Sequence, residues 1–196
     1  ERLLGVSLTG IMDNRLTSNP DKGLLSELKQ VAIDTNKELA KQLKINQSTA
    51  ITCVKPSGTV SQLVDSASGI HTRHSPYYIR TVRCDTKDPL TTFMIEKGFP
   101  HEPDVTNPSA VTVFSFPIKS PDRAICRNDV GAIQQLETWL MYQKYWCEHK
   151  PSVTISVKDH EWMDVGAWVY KNFDHVAGIS FLPYSDHVYQ QAPYQD

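Results

Sequence analysis

Along this chain, runs in which apolar residues alternate or follow one another directly give way to runs in which they recur every three or four positions. The first kind marks strands and the second helices. Strands are predicted over residues 3–9, 49–55, 77–84, 110–118, 152–158 and 176–182. Val153, Ile155 and Val157 alternate, whereas 110–116 is nearly continuous in apolar or β-branched residues, as expected of a strand covered on both faces. Over 22–44, Leu24, Leu28, Val31, Thr35, Leu39 and Leu43 draw one apolar stripe behind an Asn19-Pro20-Asp21 start that offers a cap and a first-turn proline. A second helix over 129–149 sets Ile133, Leu136, Leu140 and Cys147 on one face and stops at Pro151. A third, opening at Asp159 and Glu161, is expected to bury Trp162, Val165, Val169 and Phe173. Shorter helices are expected near 59–66 and 89–97, and the proline-bearing stretch 98–109 is the longest expected loop.

Strand and helix in alternation, with connections of these lengths, predict right-handed crossovers and an α/β fold whose sheet is mainly parallel, open or closed into a barrel. With no repeat, low-complexity tract or flexible linker, residues 1–196 read as one domain. In such folds ligands bind where strands run out into the following loops, so the strand ends are the places to look for chemistry.

Charge and composition narrow the partners. Twenty Lys and Arg against 22 Asp and Glu leave a formal net charge of −2, without the basic excess that displaces phosphate counterions, so nucleic acid is not an expected partner. No segment approaches the roughly 18 apolar residues of a membrane span and the first residues lack a secretory pattern, which predicts a cytoplasmic protein with no membrane partner. The four cysteines, Cys53, Cys84, Cys126 and Cys147, form no C-x-x-C pair and read as reduced, mostly buried thiols. Aromatic residues crowd the last third of the chain, where helical spacing and the lack of a basic groove favour core packing over base stacking.

One strand end carries chemistry. Residues 49–55 break at Pro56 into Ser57-Gly58-Thr59-Val60-Ser61, a small hydroxyl-rich turn before a short helix. Gly58 permits close approach of the backbone, Ser57, Thr59 and Ser61 offer hydroxyls, and the first N–H groups of the helix carry partial positive charge. Phosphate is the natural ligand of such a turn, and a capped strand-to-helix junction without a ligand is the alternative. The order of residues matches neither the Walker loop nor the G-x-G-x-x-G fingerprint. Downstream, His71-Thr72-Arg73-His74 stands between Gly69 and Pro76 in a loop. No carboxylate accompanies the histidines there, so polar contacts to an anion or ordinary loop hydrogen bonds are preferred and no metal site is assigned. Residues 180–184, Ser-Phe-Leu-Pro-Tyr, sit at a strand end where they offer a pocket lining.

Three stretches give the chain a family likeness. Residues 54–63 (Val-Lys-Pro-Ser-Gly-Thr-Val-Ser-Gln-Leu) with 68–80 (Ser-Gly-Ile-His-Thr-Arg-His-Ser-Pro-Tyr-Tyr-Ile-Arg), residues 4–13 (Leu-Gly-Val-Ser-Leu-Thr-Gly-Ile-Met-Asp), and residues 178–184 followed by Gln191-Ala192-Pro193-Tyr194 resemble the C-terminal part of the ribonucleotide reductase catalytic barrel. The likeness is greatest to the adenosylcobalamin-dependent, class II ribonucleoside-triphosphate reductases. It implies part of a ten-stranded α/β barrel made of two parallel five-stranded halves, and it implies that Ser57, Gly58, Thr59, Val60 and Ser61 receive the phosphates of a ribonucleoside di- or triphosphate. Adenosylcobalamin belongs to the intact enzyme on this reading, and none is expected for this chain alone.

The likeness also implies what is missing. The family's thiyl-radical cysteine stands in an Asn-x-Cys-x-Glu loop, and no such sequence occurs here. No catalytic residue is therefore assigned, Cys53 included. The chain reads as a substrate-phosphate-binding portion, inactive by itself, whose partner is the missing N-terminal part of the reductase. A non-catalytic split subunit or assembly module completing a barrel with another chain is the alternative, and open strand edges would favour pairing or self-association.

Overall fold

The computed structural model describes residues 2–184 and 190–195. In chain order the elements are β1 (Leu3–Ser7), α1 (Arg15–Ser18), α2 (Lys22–Leu43), β2 (Ala50–Cys53), α3 (Val60–Leu63), β3 (Tyr77–Asp85), α4 (Pro89–Glu96), β4 (His101–Pro103), β5 (Val111–Lys119), α5 (Ala132–Tyr145), β6 (Thr154–Val157), α6 (Trp162–Lys171), β7 (Ser180–Pro183) and β8 (Tyr194–Gln195). They group into two compact units, Glu1–Arg73 with Arg123–Tyr184, and His74–Asp122 with Ser185–Asp196.

The first unit is the parallel one. β1 pairs with β2 and β6 with β7, both in parallel. Between the pairs runs the segment that feeds β6: Glu148 and His149 donate to the Thr52 carbonyl, and Ser152 donates to that of Val54. On β2 itself, the Glu148 carboxylate accepts from the amides of Ile51 at 2.8 Å and Thr52 at 3.3 Å. Helix α5 supplies the largest share of the core, with Ala132, Leu136, Trp139 and Tyr142 fully buried beside Ile155, Val157 and Trp168. Trp139 donates its indole N–H to Pro151, and Trp146 to Cys53, so each large ring is buried with its polar atom satisfied.

The helices stand where periodicity places them, but two present different faces to the core. Helix α2 begins at Asp21, whose carboxylate accepts from the amides of Gly23 and Leu24, and it closes on Lys44 in the left-handed region. Its buried residues are Leu25 and Ala40, whereas Leu28, Val31, Thr35, Leu39 and Leu43 of the apolar stripe are exposed. In α6 the core is met by Val165 and Trp168, with Val169 partly buried; Trp162, and Phe173 beyond the helix end, are exposed. Strand β1, with Leu3, Leu4 and Val6, is exposed along its whole length.

The second unit corrects the expectation of a mainly parallel sheet. Its order is β4-β5-β3-β8 and its pairings are antiparallel. Nine residues of β3, from Tyr77 to Asp85, pair in unbroken register with Lys119 back to Val111. Helix α4 and strand β4 fill the connection, so the expected long loop over 98–109 contains a short strand that pairs with β5. Val113 and Phe114 are its most deeply buried apolar residues. Arg83 donates to Asp104 at 2.8 Å and to the Gln191 carbonyl at 3.0 Å, and hydrogen bonds from Thr106 and Arg83 hold the Asp104 carboxyl far below the usual carboxylate range.

Candidate functional site

The turn after β2 is built by residues distant in sequence. Ser57 donates its amide to the Ser68 hydroxyl at 3.2 Å, and its own hydroxyl lies 2.7 Å from that of Thr9. The amide of Gly69 reaches both hydroxyls, at 2.9 Å to Thr9 and 3.1 Å to Ser57. Thr9 completes the knot by donating to the Ala67 carbonyl. Such an approach needs glycine at 69: its φ is +56°, and a Cβ there would stand 3.1 Å from the Lys55 carbonyl oxygen.

The five residues predicted to bind phosphate are therefore contiguous and divide into two roles. Ser61 is fully buried, and its hydroxyl and amide both donate to the Ser57 carbonyl, which closes the turn from below. Ser57 is half-buried and held as described, while Gly58, Thr59 and Val60 are exposed. The Thr59 hydroxyl does not cap α3. Gly58 has an ordinary φ, and a Cβ there would meet nothing within 4 Å. Neither a positive φ nor packing within 4 Å of that Cβ calls for glycine at 58.

The neighbouring polar residues are engaged by the chain itself. Arg73, 4% exposed, forms a two-pronged ion pair with Asp13 at 2.9 and 3.0 Å. His71 bonds through Nδ1 to the Ser68 carbonyl and accepts the Thr154 amide at Nε2, each at 3.0 Å, which fixes the neutral tautomer; burial lowers its pKa. Beside it lies a cavity of about 40 Å³ bounded by Met12, His71, Gln135, Val153 and Thr154, room for a water or two and far too small for a nucleotide. His74 belongs to the other unit, where its ring stacks on Tyr194. Among the described residues no group of three or more His, Cys, Asp or Glu could hold a metal ion. Cys53 is a fully buried strand thiol, and Cys147 is pushed up to about 12, by burial first and by the nearness of Cys53 second. Tyr184 bonds to Asn128 and lies under the cations of Arg127 and Lys158.

Sequence reasoning misses Thr9, Asp13 and Ser68 as builders of the site. The stretches 4–13 and 68–80 that carry the family likeness contain all three, which was the available signal.

Comparison with known proteins shows what the chain is similar to. The adenosylcobalamin-dependent ribonucleoside-triphosphate reductase of Lactobacillus gasseri is 31% identical over 170 residues, covering 85% of this chain and 23% of the relative. The reductase of the same name from Euglena gracilis is 30% identical over 160 residues, 81% of this chain and 22% of the relative. A solved B12-dependent, class II ribonucleotide reductase superposes with a TM-score of 0.76 at 28% identity, covering 89% of this chain and 25% of that one. The chain is homologous to part of the class II ribonucleotide reductases. It spans about a quarter of the length of the relatives it matches. No protein-family model matches the chain. The likeness to this reductase family spans both units in sequence, since more than four-fifths of the chain is covered. No helix of the described residues is long and apolar enough to cross a membrane.

Proposed function

We propose that this chain is the substrate-phosphate-binding, C-terminal portion of a class II reductase, with residues 1–196 forming one domain of the parent enzyme. Strands β1, β2, β6 and β7 are then members of its ten-stranded barrel, and the turn Ser57-Gly58-Thr59-Val60-Ser61 receives the phosphates of a ribonucleoside di- or triphosphate. The observation that carries the reading is the division of labour in that turn. The hydroxyls of Ser57 and Ser61 are spent on shaping it, while Gly58, Thr59 and Val60 are exposed and a Cβ at Gly58 would meet nothing within 4 Å.

The contribution of these residues is positional. Backbone N–H groups and one hydroxyl hold the phosphates, and a fixed phosphate fixes the ribose relative to the reacting groups, which converts an encounter into an intramolecular event. Adenosylcobalamin supplies the radical in the parent enzyme. The described residues around the turn fit a phosphate and not a corrin, because the turn exposes three residues and the adjacent His71 and Arg73 have their side chains engaged by the chain. The chain alone is expected to be inactive.

The partner that completes the enzyme is the remainder of the reductase. An exposed β1 carrying Leu3, Leu4 and Val6, and Leu182 exposed on β7, support pairing of these strands with further polypeptide, whether joined in one chain or supplied as a separate subunit. Calorimetric titration of the chain with CTP and with inorganic tripolyphosphate tests the phosphate assignment. Thr59→Ala removes one hydrogen bond to a charged group, about 1.5–3 kcal/mol, and is expected to weaken binding by about tenfold or more. Unchanged affinity would overturn the assignment.

A further inference from the structure

The ion pair between Asp13 and Arg73 lies outside the turn, yet both of its partners hold the segment on which the turn rests. Arg73 has its own backbone fixed independently: its amide donates to the Ile125 carbonyl and its carbonyl accepts from Arg127. From that anchor the guanidinium reaches Asp13 with two nitrogens, at 2.9 and 3.0 Å, and the main-chain carbonyl of Asp65 at 2.6 Å. Asp65 lies just past the end of α3 with φ of +46°, so the guanidinium fastens the exit of the short helix that the turn begins. Asp13 in turn accepts the Ala67 amide at 2.7 Å. Ala67 immediately precedes the two residues that grip Ser57: the Ser68 hydroxyl, which accepts the Ser57 amide, and the Gly69 amide, which donates to the Ser57 hydroxyl. The side chains of the pair are 3% and 13% exposed, so solvent neither screens the interaction nor replaces it.

We propose that Asp13 and Arg73 are positioning residues of the phosphate site: their buried pair fixes residues 65–69, and through Ser68 and Gly69 it fixes Ser57 and the height of Gly58, Thr59 and Val60. The inference rests on the phosphate reading of the turn. A planar fork is required, because one guanidinium bonds both carboxylate oxygens of Asp13 and the Asp65 carbonyl in fixed geometry. Lysine at 73 keeps the charge and loses the fork.

The test is a double-mutant cycle on the full chain, read as affinity for CTP and for inorganic tripolyphosphate by calorimetry. If Arg73 acts through Ser57, Arg73→Lys weakens binding by about tenfold in the otherwise unaltered chain and by less than about threefold once Ser57→Ala has already released the turn. A residue that only supports the fold gives equal losses in the two backgrounds. Equal losses, or no loss, would overturn the proposal. Should Arg73→Lys fail to fold, Thr9→Val serves in its place as the probe of the same knot and Asp13→Asn as the probe of the pair. Amide hydrogen exchange supplies an arm that needs no ligand. Arg73→Lys is expected to lower protection at Gly69 by about tenfold or more while α5 stays unchanged, and uniform loss over both would also overturn the proposal. A wild-type chain that binds neither probe refutes the phosphate reading, and the exchange experiment then decides the positional claim by itself.

Discussion

Gly69→Ala is the substitution whose cost follows most directly from this geometry. At φ of +56° an alanine enters the left-handed region, which costs roughly 1–2 kcal/mol. Its Cβ would then stand 3.1 Å from the Lys55 carbonyl oxygen and 3.6 Å from a methyl of Val54, and since Val54 is fully buried the contact is relieved only by moving backbone, for about 1 kcal/mol more. The restricted unfolded chain returns about 0.4–1 kcal/mol, leaving a net loss of about 2 kcal/mol. With a urea dependence of about 2 kcal/mol per molar, the unfolding midpoint falls by about 1 M. The assay is urea denaturation followed by tryptophan fluorescence, since Trp139, Trp146 and Trp168 are buried in the same unit as Gly69. Gly58→Ala is the internal comparison. It introduces neither a left-handed backbone nor a contact within 4 Å, so stability should change by no more than about 0.5 kcal/mol while nucleotide binding weakens. If Gly69→Ala proves no more damaging to stability than Gly58→Ala, the account of how the turn is held is wrong.

Other outcomes follow from the same structure. His71 is buried and lowered in pKa, so between its ordinary value near 6.5 and its lower folded value the unfolded chain binds more protons. Stability is therefore complete above about pH 6.5 and declines as pH falls through that window, and His71→Gln should remove this part of the slope in denaturation curves taken from pH 7.5 downward. A slope identical in both proteins would show that His71 does not carry it. On α2, Leu39→Lys should leave stability within about 0.5 kcal/mol, whereas Leu25→Ala, at a site only 2% exposed, should cost about 2–4 kcal/mol; a reversed order would restore the apolar stripe as the core face.

That last contrast shows what periodicity contains and what it omits. The stripe from Leu24 to Leu43 correctly announces a helix over Lys22–Leu43, because the spacing is a property of the local chain. Which face is covered depends on neighbours that sequence spacing does not describe, and here Leu28, Val31 and Leu39 are exposed while Leu25 and Ala40 meet the core. Helix α5 was more legible, since of its predicted face Leu136 and Leu140 are buried, Ile133 is partly buried, and Cys147 is buried just past the helix end. The antiparallel pairing of β3 with β5 was not legible. The 25 residues between them are long enough for a parallel crossover, and no two-residue hairpin signal marks the reversal.

The candidate site was legible as a short run and illegible as a construction. Residues 57–61 are adjacent in sequence, and their composition suggests an anion. The hydroxyl that anchors Ser57 comes from Thr9, 48 positions away, and the carboxylate that holds Arg73 comes from Asp13, 60 positions away. Local chemistry could therefore suggest Arg73 as an anion contact, but only the tertiary fold shows that Asp13 already engages it.

The most direct measurement of the central claim is a ¹⁵N–¹H spectrum of the chain titrated with CTP. The account predicts that the amide resonances of Gly58, Thr59 and Val60 move first and furthest, and that tripolyphosphate reproduces the pattern. Shifts centred elsewhere in the chain, or a spectrum unchanged at saturating nucleotide, would contradict it.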